Sequence, residues 1–270
     1  RAPLQIASVD EAPSRDSPMT NTADTSVRAP FPVRYVYEPI PGLSAARNRG
    51  IREAEGQYVF FTDDDQHVDP DAAREHLRVA KTHRSRAQQG AISLKFEEAR
   101  PEWLRGRLVT VLGETANHPE GPADIHLYGG NMFFEGALFQ EMSAFREDLG
   151  KGAAGYSEDI EISLRLKRKG IGVVFAPTAR IFHVIDEDRA SVQFFRRNSY
   201  EKGFSDGLLQ APNANMVAAL LKNGGLAVAN GYLSAFHRLR GNSYATVLAE
   251  TRVADRTGRA LGLIKGRLKP

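Results

Sequence analysis

Apolar residues along the chain fall into two patterns, short continuous runs and stretches with apolar residues three or four positions apart. Continuous runs are typical of buried strands, and the spaced pattern is typical of helices. Strand-like runs cover Leu4 to Val9, Val33 to Tyr37, Gln57 to Thr62, Ala91 to Phe96, Gly129 to Phe134, Ile171 to Ala176 and Ala179 to Val184. Helical patterns begin at Ser44 and at Asp69-Pro70, cover residues 102–118 and resume from about Asp188. This alternation predicts an α/β domain with a mostly parallel central sheet flanked by helices.

The segment 158–169 fits either kind of element by periodicity. Its apolar residues alternate with polar ones, as in a strand, but Ile160 and Leu164 also stand four positions apart. Glu161 and Arg165 would form a favourable pair on a helix, and Gly170 follows a basic last turn as at many helix ends. We predict a helix here.

The charge divides the chain into two parts. Residues 186–270 hold 13 Lys/Arg and 7 Asp/Glu, whereas the whole chain has a formal net charge of +3. We therefore predict a catalytic domain over residues 1–187 and a helical, basic C-terminal region over residues 188–270. The basic excess favours an anionic partner, and a solvated basic helix face explains it equally well.

Composition excludes several classes of protein. Hydrophobic residues make up 41% and charged residues 26% of the chain, which is ordinary for a globular protein. The absence of Cys excludes disulfides, thiolate-bound zinc, iron–sulfur clusters and a thiol nucleophile. No apolar run approaches the ~20 residues that span a bilayer. The basic residues form no recognised nucleic-acid-binding module, so no nucleic acid partner is expected.

Asp63, Asp64 and Asp65 form the sharpest local feature, directly after a predicted strand. Three adjacent carboxylates repel one another, and a bound Mg²⁺ or Mn²⁺ would relieve that repulsion through oxygen ligands. The alternative is an acidic loop that precedes the helix start at Asp69.

Each of three further groups could have either a chemical role or a purely structural one. Glu158-Asp159 follows a glycine-rich stretch and could supply a general base, or it could only complement a helix dipole. His183 closes a strand and is a metal ligand or a structural histidine. Arg196 and Arg197 could clamp a diphosphate, or they could belong to a solvated helix face.

Taken in order, these segments resemble the inverting family 2 glycosyltransferases of the GT-A fold, over roughly Leu4 to Tyr200. The resemblance rests on four stretches, which are Glu38-Pro39 with Pro41 to Gly50, Val59 to Asp65 with Val68-Asp69-Pro70, Gly129 to Phe134, and Ser157 to Arg165 running on through Gly170 to Pro177 and His183. It implies a GT-A-like fold, and metal-dependent transfer of a sugar from a nucleotide-diphosphate sugar to an acceptor hydroxyl.

The resemblance also implies roles for individual residues. Asp63 and Asp65 match the two acids of the D-x-D motif, with Asp65 the direct ligand of Mg²⁺ or Mn²⁺ and His183 completing the metal site. Asp159 matches the catalytic base, and Glu158 is its neighbour. The residues implied in binding the nucleotide sugar are Asp10, Arg47, Asp63, Asp64, Gly130, Asn131, Arg196 and Arg197.

One part of the family pattern is missing, because nothing before Leu4 supplies the usual opening strand. Two alternatives stay open beside the transferase, and the missing strand favours the first of them. One is a catalytically silent glycosyltransferase-like binding module, and the other is a nucleotidyltransferase with the same fold.

We expect a carbohydrate or lipid-linked acceptor and a cytoplasmic location. The tail 252–270 has six Lys/Arg and one acid, and it is our hypothesis for peripheral contact with the inner face of a membrane.

Overall fold

The computed structural model describes residues 6–9, 34–115, 118–153 and 156–268. The strands are β1 Ile6–Val9, β2 Tyr58–Phe61, β3 Gln66–Val68, β4 Ala87–Phe96, β5 Gly121–Ala123, β6 Met132–Glu135 and β7 Val173–Ile185. The helices are α1 Leu43–Glu53, α2 Ala72–His83, α3 Leu138–Glu141, α4 Glu158–Arg168, α5 Val192–Gln210, α6 Met216–Leu239 and α7 Ser243–Leu268. The expected α/β class with a helical C-terminal part is confirmed, as is the helix expected over 158–169.

The central sheet has the order β1-β2-β6-β4-β7-β3, and β5 pairs with β7. Within the described ranges only β4 and β7 run parallel, and the remaining pairs are antiparallel. The expectation of a mostly parallel sheet is therefore wrong. A strand buried on both faces has the same residue pattern whichever way its neighbours run, so the pattern could not show the direction of pairing.

Two hydrophobic layers enclose this sheet, because successive side chains of a strand point to opposite faces. Val59 and Phe61 of β2 pack on one face with Phe134 and the apolar side of α4. Phe60 packs on the other face with Phe133 and the helix α2. The loops that follow β2 and precede β6 are thus fixed at one edge of a rigid core.

Three local expectations are corrected. Residues 34–37 form no strand, since Tyr35 and Tyr37 point into solvent. The helix expected over 102–118 is a 3₁₀ helix over Gly106–Leu112. The two segments on either side of Pro177 are one strand, in which the pairing with β4 passes directly from Ala176 to Arg180. The three residues between them bulge out of the ladder, which accommodates the missing proline N–H.

The helices α5 and α7 pack at unusually short range through glycines. A Cβ atom built on Gly203 or Gly207 of α5 would lie 2.1 Å from the carbonyl oxygen of Asp255 or 2.3 Å from that of Arg259. A Cβ on Gly258 or Gly262 of α7 would lie 2.1 or 2.0 Å from carbonyl oxygens of α5. Both helices therefore carry glycines four residues apart because their backbones touch.

This packing bears on the membrane contact that was hypothesised for the tail 252–270. Most of that tail belongs to α7, which packs against both α5 and α6. Gly258, Gly262 and Leu263 are buried there. Since its middle is enclosed by the other two helices, α7 is a structural element of the helical region rather than a segment free to lie on a membrane.

Within the residues described, no helix is both long enough and apolar enough to cross a bilayer.

We expect Gly258→Ala to lower the free energy of unfolding by about 1–3 kcal/mol, the usual cost of overpacking. The added methyl group meets the carbonyl oxygen of Tyr200, which cannot move without separating α5 from α7. Gly225→Ala on α6 is the matched control, because nothing lies within 4 Å of its Cβ position. The control should gain up to about 1 kcal/mol from helix propensity. Urea unfolding measures both, and a stabilised Gly258→Ala protein would contradict the close packing.

Candidate active site

A cavity of about 470 Å³ opens where the loop after β2, the start of α4, the end of β7 and one side of α5 meet. Its walls include Arg47, Asp63, Asp65, Gln66, Gly130, Lys151, Glu158, Asp159, His183, Arg189, Phe194, Asn198 and Lys202. Acidic, basic and imidazole groups from distant parts of the sequence therefore share one pocket.

The buried face of α1 is polar and fixes the loop beside the pocket. Ser44 donates a hydrogen bond of 2.9 Å to the carbonyl oxygen of Leu149. The Asn48 amide donates to the carbonyl oxygen of Phe145 and accepts from its N–H, at 2.8 Å each. These bonds satisfy backbone groups that the loop itself leaves unpaired. α1 thus aligns residues 145–149 next to its own Arg47.

Arg47 is the buried positive charge of the site, with 1% of its side chain exposed. It donates to Glu158 Oε1 at 2.6 Å and lies 3.4 Å from Asp63 Oδ1. Burial alone would lower the pKa of Arg47, but Glu158, Asp63 and Asp159 together raise it. A Cβ on Gly129 would lie 2.3 Å from Arg47 Nη2, so only glycine fits beside this guanidinium.

Asp159 lines the cavity at the first turn of α4. Its carboxylate accepts from the N–H of Ile160 at 2.8 Å and from that of Gly129 at 3.3 Å. Burial and the neighbouring Glu158 raise the pKa of Asp159 to about 7, against the opposing effect of Arg47. A carboxyl group with this pKa can accept a proton near neutral pH, as a general base must.

The C-terminal helices hold the residue that precedes this acid pair. Ser157 adopts the left-handed conformation at φ 76°, which is uncommon for a residue with a side chain. Its hydroxyl donates to Asp206 Oδ1 of α5 at 2.7 Å. Asp206 also pairs with Lys202 and with Arg259 of α7, at 3.0 and 2.7 Å. The helical region therefore helps to aim Glu158 and Asp159 into the cavity.

Asp65 and His183 converge on the opposite wall. His183 Nδ1 lies 2.8 Å from the carbonyl oxygen of Leu112, which can only accept, so Nδ1 carries the proton. His183 Nε2 then accepts from Arg189 at 2.6 Å and lies 3.6 Å from Asp65 Oδ2. Arg189 also pairs with Asp65 at 2.5 Å. Burial alone would raise the pKa of Asp65, but His183 and Arg189 lower it to about 2.

These two side chains suit a divalent cation. A carboxylate oxygen and an unprotonated imidazole nitrogen are suitable ligands for Mg²⁺ or Mn²⁺, and for His183 that nitrogen would have to exchange Arg189 for the cation. Asp65 Oδ1 is buried and has no hydrogen-bond partner among the described residues, so this oxygen is available to bind a cation. Within the same residues, no group of three or more His, Asp or Glu side chains is arranged around one point that could hold a metal ion. Further ligands would have to come from water or substrate.

The family model named Glycosyl transferase family 2 matches residues 13–142 of this sequence. Over that segment the chain is similar to glycosyltransferase family 2. The chain is also similar to the succinoglycan biosynthesis protein ExoM of Rhizobium meliloti (strain 1021), at 26% identity over 205 residues, or 72% of this chain. That alignment spans 64% of ExoM, so the chain covers less than two thirds of its relative.

Solved structures were found with lower similarity. A GalNAc-T7 crystal structure with UDP, GalNAc and Mn²⁺ has 18% identity and a TM-score of 0.42, over 64% of this chain and 38% of the other. TarS residues 1–349 of S. aureus in complex with UDP has 14% identity and a TM-score of 0.38, over 85% of this chain and 72% of the other.

Several predicted site residues lie in the pocket and others do not. Arg47, Asp63, Asp65, Gly130, Glu158, Asp159 and His183 line it. Asp64 is exposed between its two neighbours. Asp10 lies outside the described residues.

Asn131 supports the site from behind. It is fully buried, and its Oδ1 lies 2.9 Å from His76 Nε2, while its Nδ2 donates to the carbonyl oxygens of Ala91 and Ala179. A Cβ on Gly90 would overlap this amide, so the strand leaves room for it. Asn131 was expected to line the floor of the pocket, but only its neighbour Gly130 does so. The backbone at Gly130 passes close to the side chain of Gln66.

Arg196 and Arg197 are not among the residues that line the cavity. Arg196 pairs with Glu250 of α7 at 2.6 Å, and Arg197 is exposed. α5 turns Phe194, Asn198 and Lys202 toward the pocket instead, each four residues apart.

The sequence analysis missed Arg189, Lys202 and Lys151. Arg189 follows β7, the strand that carries His183, and that position in the sequence was the available signal. Its contact with Asp65 depends on the tertiary fold, and the spacing of residues along the sequence does not reveal it.

We expect Arg47→Gln to destabilise the protein by about 3–5 kcal/mol, because it leaves buried carboxylates without their counter-charge. Without Arg47, whose charge lowers the pKa of Asp159, the folded-state pKa of Asp159 rises further, so the folded protein binds more protons than the unfolded chain. The loss should therefore be larger at pH 8 than at pH 5.

Chemical unfolding at both pH values measures this loss. Arg49→Gln on the same helix is the control, since its partly exposed pair with Glu53 is worth about 1 kcal/mol or less. The double variant Arg47→Gln with Glu158→Gln should regain part of the loss. Equal losses at the two pH values would contradict the role of Arg47 as counter-charge.

Proposed function

We propose that the protein is an inverting glycosyltransferase that moves a sugar from a nucleotide-diphosphate sugar to an acceptor hydroxyl. The observation that carries the proposal is Asp159, a carboxyl group with a pKa near 7 in the wall of the same cavity as Asp65 and His183. The match of residues 13–142 to the model of glycosyltransferase family 2 supports it. ExoM, named for succinoglycan biosynthesis, supports a polysaccharide or other glycoconjugate as the class of product.

The base acts on the acceptor. Asp159 takes the proton as the acceptor oxygen attacks the anomeric carbon from the face opposite the diphosphate. The new bond joins that oxygen to the anomeric carbon, and the bond from this carbon to the diphosphate breaks. The diphosphate leaves with the electron pair, so the anomeric configuration is inverted. The N–H groups of Gly129 and Ile160 hold the carboxylate in place during this transfer.

The opposite wall binds the leaving group. Arg189, Lys151 and Lys202 line the cavity and present positive charge to a diphosphate. Asp65 and His183 would hold Mg²⁺ or Mn²⁺, which supplies charge stabilisation for the departing diphosphate. Arg47 keeps Asp63 and Glu158 in place and offsets their charge beside the donor.

A second candidate is a module that binds a nucleotide sugar without transferring it. Arg189 favours it, because its guanidinium already pairs with the carboxylate and the imidazole that a cation would need. Activity and metal binding must therefore be measured separately.

We expect Asp159→Asn to lower transfer by about 10²–10⁴-fold while the protein remains folded. A thermal-shift panel of nucleoside diphosphates with and without Mn²⁺ first identifies the donor class, and transfer is then followed by release of the diphosphate. Wild-type activity should rise as the pH passes about 7, because Asp159 must be deprotonated to act as a base.

Asp159→Asn should also change how the stability of the protein depends on pH. The folded-state pKa of Asp159 is raised, so its contribution to stability is lost as the pH rises from about 4 through about 7. Asp159→Asn should therefore melt at a higher temperature than wild type at pH 8, and the difference should be smaller at pH 5. Asp124→Asn, an exposed acid paired with Lys167, is the control and should keep full activity. Near-normal turnover of Asp159→Asn at pH 8 would refute the assignment.

Arg189→Ala should bind Mn²⁺ about tenfold more tightly in the absence of nucleotide, because a positive charge 2.5 Å from Asp65 is removed. It should bind UDP or another nucleoside diphosphate less tightly, since a phosphate-binding cation is lost. Calorimetry with Mn²⁺ alone and with the nucleotide alone measures the two effects. Arg196→Ala is the control and should change neither. If Arg196→Ala weakens nucleotide binding and Arg189→Ala does not, the residue that binds the diphosphate is Arg196, as the sequence first indicated.

A further inference from the structure

The helix α6 has its polar side inward and its apolar side outward. Its buried residues are Asn223, Asn230 and Ser234, all of them polar. A surface helix of a globular protein normally buries its apolar stripe and exposes its polar face. The reversed arrangement indicates that the exposed side of α6 meets something other than water.

The exposed apolar residues form one continuous stripe. Val217, Leu221, Val228, Tyr232 and Leu239 fall within about 60° of arc at 3.6 residues per turn, and we call them the outer face of α6. Their exposed fractions run from 61% for Val228 to 89% for Leu239. The stripe lies about half a turn from Asn223 and Asn230, so it points directly away from α7.

Polar contacts with α7 fix this orientation. Arg256 donates to Asn223 Oδ1 at 3.3 Å, and Ser234 donates to Glu250 Oε1 at 3.4 Å. Arg238 pairs with the same Glu250. A rotation that buried the outer face would break these contacts and place the two asparagines in solvent. The outer face is therefore exposed because α6 is held by its polar side.

The charge around α6 indicates what can cover the stripe. From Gly207 to Ala249 the sequence has no Asp or Glu, and its Lys and Arg residues are Lys222, Arg238 and Arg240. Lys222 and Arg240 border one side of the stripe and Arg238 the other. Two copies of this face would bring like charges together, whereas a surface of anionic lipid headgroups would meet both the cations and the apolar stripe.

We propose that the outer face of α6 docks on an anionic membrane surface, with the helix axis in the plane of the interface. The apolar stripe enters the boundary between headgroups and acyl chains, and the flanking cations contact the headgroups. This places membrane contact on α6 instead of the tail 252–270. It does not depend on the proposed sugar transfer.

The test is sedimentation of the full chain with vesicles of phosphatidylcholine alone or with 30% phosphatidylglycerol. We expect binding to the anionic vesicles, weakened by high salt. Combined Leu221→Gln, Tyr232→Gln and Leu239→Gln should lower the partition coefficient by at least about tenfold. Combined Lys222→Gln and Arg240→Gln should lower it about fivefold per cation on anionic vesicles only.

Two matched controls locate the contact. Leu261→Gln with Leu268→Gln changes exposed apolar residues of α7, and Tyr35→Gln changes an exposed aromatic residue far along the chain. Both should bind vesicles like wild type. Light scattering of each protein reports its oligomeric state, and circular dichroism confirms that it is folded.

Several results would overturn the proposal. They are no binding of wild type to anionic vesicles, loss of binding in the α7 variant but not in the α6 variants, and a wild-type dimer that the triple α6 variant converts to a monomer without any vesicle binding. The last result would assign the outer face to a second copy of this chain.

Discussion

The site depends on one buried positive charge among carboxylates. Arg47 sits between Glu158 and Asp63, and its charge acts on Asp159. Its guanidinium offsets the charge of three acids that two distant segments bring together. The polar face of α1 serves this charge, because Ser44 and Asn48 hold the neighbouring loop while Arg47 reaches the pocket. The glycine at position 129 completes the arrangement by leaving room for the guanidinium.

The two carboxylate environments differ in the way that their proposed tasks require. Asp159 is enclosed beside a like charge, and its pKa rises to about 7. Asp65 faces Arg189 and His183, and its pKa falls to about 2. One acid is therefore suited to take up a proton near neutral pH, and the other stays charged and available to a cation. Environments that separate the pKa values of two groups are a common basis for dividing roles between them.

The helical C-terminal region is part of the site and also carries the unpartnered apolar face. α5 lines the cavity, and Asp206 holds Ser157 just before the acid pair. α7 packs against α5 through glycines and leaves α6 on the outside. The boundary predicted near residue 187 stays a prediction, and residues on both of its sides build one pocket.

The sequence by itself determined much about this protein. The runs of apolar residues located most strands and helices, because burial and periodicity are local properties of the chain. The motifs located Asp63, Asp65, Glu158, Asp159 and His183, which do line one cavity. Only the tertiary structure decided the antiparallel pairing of most strands, the position of Arg189 rather than Arg196 in the cavity wall, and the supporting position of Asn131. Each of these depends on which distant segments meet and which way a side chain then points, and no spacing along the chain records that.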